Sequence, residues 1–108
     1  FSVGSPVGVA FDGRWIWVGN FAPGTVTRLK SNGAKQGTFA VGANPFHLAF
    51  DGAHIWVANA GDNSVTKLRA TNGAKLGTFP VGLGPVGVAF DGASVWVANN
   101  GGASVSKR

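Results

Sequence analysis

Apolar residues in this chain alternate with small or polar ones at a period of two, in short runs broken by Gly, Asn and Asp. "PVGVAF" (Pro6–Phe11) predicts a strand by that alternation. Asp12–Gly13 then predicts a tight hairpin turn, because glycine takes the positive φ such a turn needs. "WIWV" (Trp15–Val18) predicts a second strand. In the next copy "GDNS" (Gly61–Ser64) is a turn, and "SVTKLR" (Ser64–Arg69) a third strand with Val65 and Leu68 on its apolar side. "NGAK" turns again, and "GTFPVG" (Gly77–Gly82) predicts a fourth strand. Pro45 and Pro85 open the following units, at a strand's first residue, where a missing N–H does least harm.

The pattern is written three times. "FDGRWIWVGN" at Phe11, "FDGAHIWVAN" at Phe50 and "FDGASVWVAN" at Phe90 recur with a period of about 40 residues. Small differences in spacing fall in turns, near Ala43 and Thr71. Four antiparallel strands per unit of about 40 residues is the pattern of a β-propeller blade. The 18 glycines and the β-branched and aromatic alternation argue against helix. The expected fold is all-β: a β-propeller of about three four-stranded blades, one domain over 1–108 with repeats 1–38, 39–78 and 79–108. Trp17, Trp56 and Trp96, with Phe11, Phe50 and Phe90, are then expected to pack blade against blade.

Composition narrows the partners. An apolar fraction of 44% with few charges excludes a disordered chain. Without cysteine there is neither a disulfide framework nor a zinc–thiolate site, and the compartment is unreadable. No apolar run reaches the ~18 residues of a membrane helix and no charged-then-apolar leader opens the chain, so no membrane role is expected. The net charge is +5, and basic residues recur at Arg28, Lys30, Lys35, Lys67, Arg69, Lys75, Lys107 and Arg108, on third strands and the turns after them. Spread round the outside of a disc, these charges keep edges soluble, and no nucleic-acid partner is expected.

"PVGVAFDG", "IWVAN" and "SVTKL" together resemble the repeat of the streptogramin B (virginiamycin B) lyases and related YVTN/NHL-type propellers. The resemblance covers essentially the whole chain. It implies a seven-bladed propeller that opens a macrocyclic depsipeptide with Mg²⁺ help, using acidic residues and histidines near the central channel. The family's Glu before the repeat proline corresponds here to Ser5, Asn44 and Gly84, and its His after the proline to Val7, Phe46 and Val86. Its Glu closing the second strand corresponds to Asn20, Asn59 and Asn99. The chain has no glutamate, and its aspartates, Asp12, Asp51, Asp62 and Asp91, all lie in predicted turns. Catalytic residues, metal and cofactor are therefore expected to be none, and the chain is read as a non-enzyme.

Candidate ligand-binding residues lie where the copies differ or where a polar residue recurs. "PFHL" replaces "PVGV" in the second copy, so Phe46 and His47 are expected near the channel. Trp15 and His54 (with Ser94) vary just before "IWV", at a rim where an aromatic ring could stack on a sugar. Asn20, Asn59 and Asn99 recur and are expected mainly to bond turn backbone, with a channel-facing amide the lesser reading.

The function expected is a non-catalytic, self-assembling propeller scaffold or binding module. The close similarity of the copies also fits a fragment, or a designed or reconstructed propeller. Its alternatives are a lectin-like oligomeric propeller binding a glycan or small molecule, and a streptogramin-lyase-like enzyme with atypical residues. "FSVG" (Phe1–Gly4) matches the fourth strand of a blade, and the last copy stops after its third. The expected partner is a second copy of the chain: a homodimer closing six blades, with exchanged terminal strands. A nine-bladed trimer is the other option.

Overall fold

The structure, a computed structural model, describes residues 4–108. The Phe1–Val3 part of the expected exchanged strand lies outside the described residues. Its described strands are β1 (Pro6–Phe11), β2 (Ile16–Asn20), β3 (Thr25–Leu29), β4 (Lys35–Ala40), β5 (Pro45–Phe50), β6 (His54–Asn59), β7 (Ser64–Arg69), β8 (Lys75–Pro80), β9 (Pro85–Phe90), β10 (Val95–Asn99) and β11 (Ser104–Lys107). They form three antiparallel sheets, β1-β2-β3-β4, β5-β6-β7-β8 and β9-β10-β11, each pairing neighbours in sequence. The fold is a partial β-propeller of three blades, the third with three described strands.

Blades begin at the prolines, so the structural unit is offset from repeats counted from phenylalanine. Second strands run past the predicted Val18 to Asn20, Asn59 and Asn99. Each asparagine ties its strand end to the next strand by side-chain hydrogen bonds. Fourth strands sit two residues earlier than predicted, at Lys75–Pro80 rather than Gly77–Gly82. The Asn72 side chain accepts the Ala74 N–H, and Arg69 N–H bonds the Ala74 carbonyl, so the turn is complete before Lys75.

Between blades 1 and 2, Trp17 and Val26 of the first blade meet Leu48, Ile55, Val57 and Leu68 of the second. Between blades 2 and 3, Trp56 and Val65 meet Val95, Val97 and Val88 in the same arrangement. Each second-strand Trp also packs on the Phe of its own fourth strand, Trp17 on Phe39 at 5.7 Å and Trp56 on Phe79 at 6.0 Å. The expectation for the tryptophans therefore holds at Trp17 and Trp56. Trp96 is 40% exposed, because no described residues form a blade beyond it. Among the phenylalanines, Phe50 packs on the first interface. Phe11 is 61% exposed on the open side of blade 1, and Phe90 is also exposed, at a junction where His54 takes the place of the larger Trp15.

Candidate functional site

The inner strand of every blade carries a bulge just after its proline. Pro45 pairs with Asn59 and Leu48 with Val57, which leaves Phe46 and His47 together opposite one residue of β6. Val7 and Val86 are the extra residues of the other two blades. A bulge bends its strand and re-aims the side chains beside it. Phe46 meets Phe21 edge-on, with ring centroids 5.5 Å apart. Gly8 gives blade 2 a close approach, since a Cβ there would run into the Phe46 carbonyl oxygen. His47 is exposed and walls a groove with Pro6, Val7, Val9 and Val18 of blade 1. Both residues thus lie at the mouth where the second-to-third strand turns gather.

Trp15 and His54 stand at the other end of the blades, so the structure does not bring the two candidate pairs together. The turn before each second strand is organised by its aspartate. Asp12 Oδ1 accepts the N–H groups of Arg14 and Trp15, and its Oδ2 accepts the Trp17 indole N–H at 2.8 Å. Asp51 repeats this with Ala53, His54 and Trp56, and Asp91 with Ala93, Ser94 and Trp96. His54 Nδ1 also lies 3.2 Å from Asp51 Oδ2. Partial burial works against the charged form of Asp51, but the Trp56 indole and the Ala53 and His54 N–H groups outweigh it and hold the pKa at about 2. For Asp91 the Ser94 N–H, the Trp96 indole and the Ala93 N–H hold the pKa at about 2.

Trp15 is half-buried in a cleft between blades 1 and 2, with Asp12, Arg14, Phe50 and Thr71 on its walls and a volume of about 210 Å³. The guanidinium groups of Arg14 and Arg28 lie 4.6 and 4.7 Å from the Trp15 ring centre. Arg28 corrects the expectation of an outward-facing charge: it is 8% exposed and donates to the carbonyls of Ala70 and Thr71 in the next blade, at 3.0 and 3.1 Å. Burial lowers its pKa, opposed by the attraction of Asp12. The longer turn around Thr71 supplies this carbonyl pair. Lys67 and Lys107, in the corresponding places, lie over Trp56 and Trp96 as Arg28 lies over Trp17.

Asn20, Asn59 and Asn99 are buried. Their amide groups donate mainly to hydroxyls of the next strand, not to turn backbone: Asn20 to Thr25 and Thr27, Asn59 to Ser64 and Thr66, Asn99 to Ser104 and Ser106. Only Asn59 is also seen accepting a backbone N–H, that of Gly42. The sequence does contain the signal, a Ser or Thr five and seven residues after each Asn. These amides tie each second strand to the third. Asp62 Oδ2 accepts the Ala43 N–H and Asn63 Oδ1 the Gly84 N–H, so the same turns hold the links between blades. Among the described residues no three His, Cys, Asp or Glu side chains gather as metal ligands would.

Three inner strands with bulges, outward-stepping antiparallel strands and two equivalent blade junctions define a β-propeller segment. Solved structures carry the same architecture. Hydrazine synthase of Kuenenia stuttgartiensis matches with TM-score 0.82 and 25% identity, over 92% of this chain and 30% of that one. Virginiamycin B lyase from Staphylococcus aureus matches with TM-score 0.81 and 22% identity, over 94% and 36%. A streptogramin B lyase matches with TM-score 0.73 and 17% identity, over 95% and 40%. The chain therefore spans 30–40% of the length of these proteins. No family model and no curated protein matches the sequence.

Proposed function

We propose that this chain is a non-catalytic propeller module that self-associates, two copies closing a six-bladed ring about a two-fold axis along the channel. The observation that supports this is the chemistry of the two open ends. At each internal junction one blade supplies a Trp and a third-strand Val, and the next supplies its inner-strand and second-strand aliphatics. Blade 3 presents Trp96 and Val105 outward, the latter 63% exposed. Blade 1 presents Val9, 66% exposed, at the place of Leu48 and Val88, with Ile16 and Val18 behind it. The ends are the two halves of a junction already built twice. Burying them head to tail removes apolar surface from water and closes the ring. Light scattering is expected to give twice the 11.0 kDa chain mass; a monomer or a trimer mass would contradict the dimer.

The non-catalytic part rests on the absence of glutamate from the sequence and on the Asn20, Asn59 and Asn99 amides, committed inside blades where the resembling family would have carboxylates. Incubation with a streptogramin B and excess Mg²⁺ is expected to leave the depsipeptide intact, and ring opening above background would overturn the reading. A glycan-binding role is the second reading, favoured by the Trp15 cleft, which is the one place where Arg14, Trp15, Arg28 and the longer Thr71 turn all depart from the other copies. Loss of glycan-array binding in Trp15→Ala would establish it.

A further inference from the structure

We propose that the end of the propeller holding the Trp15 cleft is a polyanion-binding face, and that its ligand is a glycan whose sugar rings carry carboxylates; this rests on the glycan reading of that cleft. Period-two alternation leaves the basic residues spread round the rim of a disc. The strand register gathers them at one end instead. Phe11 pairs with Ile16, Leu29 with Lys35 and Leu68 with Lys75, so the first-to-second and third-to-fourth turns of a blade share an end. All nine Lys and Arg of the chain lie in those turns or in the strand residues beside them. The turns at the opposite end, residues 21–24, 41–44, 60–63, 81–84 and 100–103, hold no Lys or Arg and one carboxylate, Asp62.

Little at the basic end neutralises it. Its carboxylates are Asp12, Asp51 and Asp91, and each turns both oxygens on backbone N–H groups and an indole. Among the described residues the one ion pair is His54 with Asp51. Arg14, Lys30, Lys35, Arg69 and Lys75 are therefore exposed cations with no carboxylate partner. Arg14 forms part of the cleft wall, and Arg69 and Lys75 flank in sequence the turn that supplies Ala70 and Thr71 to it. Arg28, against the cleft's Trp15, adds a buried guanidinium whose Nε–H has no acceptor. At about 210 Å³ the cleft is smaller than the ~300–1,000 Å³ of pockets for drug-sized ligands, so it suits one ring of a polymer. A guanidinium fork meets a carboxylate through two parallel N–H donors, which Arg14 can offer to an acidic sugar seated beside Trp15. A nucleic-acid strand would want an aromatic platform for each of several bases. The places matching Trp15 in blades 2 and 3 hold His54 and Ser94 instead.

Calorimetric titration of the 108-residue chain with an oligouronate, and with a neutral oligosaccharide of the same length, tests this. Duplex DNA and phosphatidylserine vesicles serve as rival polyanions. The oligouronate is expected to bind more tightly than the other three and to weaken as salt rises. Arg14→Gln is expected to weaken it about threefold to fivefold, as loss of one exposed charge contact does. Asn100→Asp shifts the net charge equally, in an exposed turn of the opposite end. Strands of five or six residues set the ends roughly 15–20 Å apart, beyond the ~8 Å screening length at physiological salt. Asn100→Asp is therefore expected to leave the affinity unchanged, and equal weakening by both variants would overturn the face. A neutral oligosaccharide bound as tightly, with Arg14→Gln silent, would overturn the acidic ligand and keep the glycan reading. DNA or vesicles bound more tightly would overturn the glycan as partner, and no glycan binding at all would overturn both readings.

Discussion

The aspartate of each Phe-Asp-Gly turn does more than the sequence pattern implies. Asp beside Gly reads as ordinary turn chemistry, and Asp12, Asp51 and Asp91 do close their turns. Each also holds the indole of the Trp five residues on in its own blade, a partner that period-two alternation cannot reveal. Alternation shows which face a residue takes but not which partner its polar edge finds. The same limit hid Arg28, whose place on a polar third strand gave no hint of carbonyls in the next blade. A consequence is acid sensitivity. Asp51 and Asp91 titrate at about 2 in the folded chain against an ordinary 3.8, so the unfolded chain takes up protons first. Their stabilising contribution is complete above about pH 4 and is lost as the pH falls toward 2. Melting temperatures recorded across that window should fall, and Asp51→Asn should lessen the slope; an unchanged slope would show that the carboxylate is not responsible.

At the scale of elements, most of the strands were legible. β1, β5, β7 and β9 begin and end where alternation and proline place them. Fourth strands were misplaced by two residues, because the compact Asn-Gly-Ala turn frees Lys75 to pair with Leu68, with Leu76 the extra residue of a bulge. The bulge on each inner strand was not legible: Pro-Val-Gly reads as smooth alternation, and only the register shows the extra residue. Gly8 is where that bulge meets the next blade, so adding one methyl should be felt there. Gly8→Ala is expected to cost about 1–3 kcal/mol through overpacking against the Phe46 carbonyl. Gly13 has open space around it but φ near +94°, so Gly13→Ala should cost about 1–2 kcal/mol through backbone strain alone. The two can be separated by Gly13→Asn, which tolerates positive φ and should recover much of the loss, while Gly8→Asn should not. Chemical denaturation of the four variants would decide it.

For the whole molecule, the tryptophans report whether the ends are covered. Trp56→Ala is expected to cost about 3–5 kcal/mol, as removal of a buried aromatic does. Trp96 is 40% exposed in a single chain, so Trp96→Ala should cost less in dilute solution and approach the Trp56 value at concentrations where rings form. Equal costs at every concentration would mean that Trp96 is covered in some other way. The three-blade architecture was legible because near-identical copies repeat the same packing demands; the cleft at Trp15 was not, because it joins Arg14, Phe50 and Thr71, distant in sequence. Near-identical copies also create a hazard, since any blade could dock on the wrong neighbour during folding. Arg28 offers a safeguard. Its guanidinium meets the carbonyls of Ala70 and Thr71, in a turn one residue longer than that of blade 1, and a docking that loses this pair would leave it buried with those hydrogen bonds unmade. A misordered arrangement is thereby penalised by one side chain, and copies that look interchangeable carry an address that fixes which follows which.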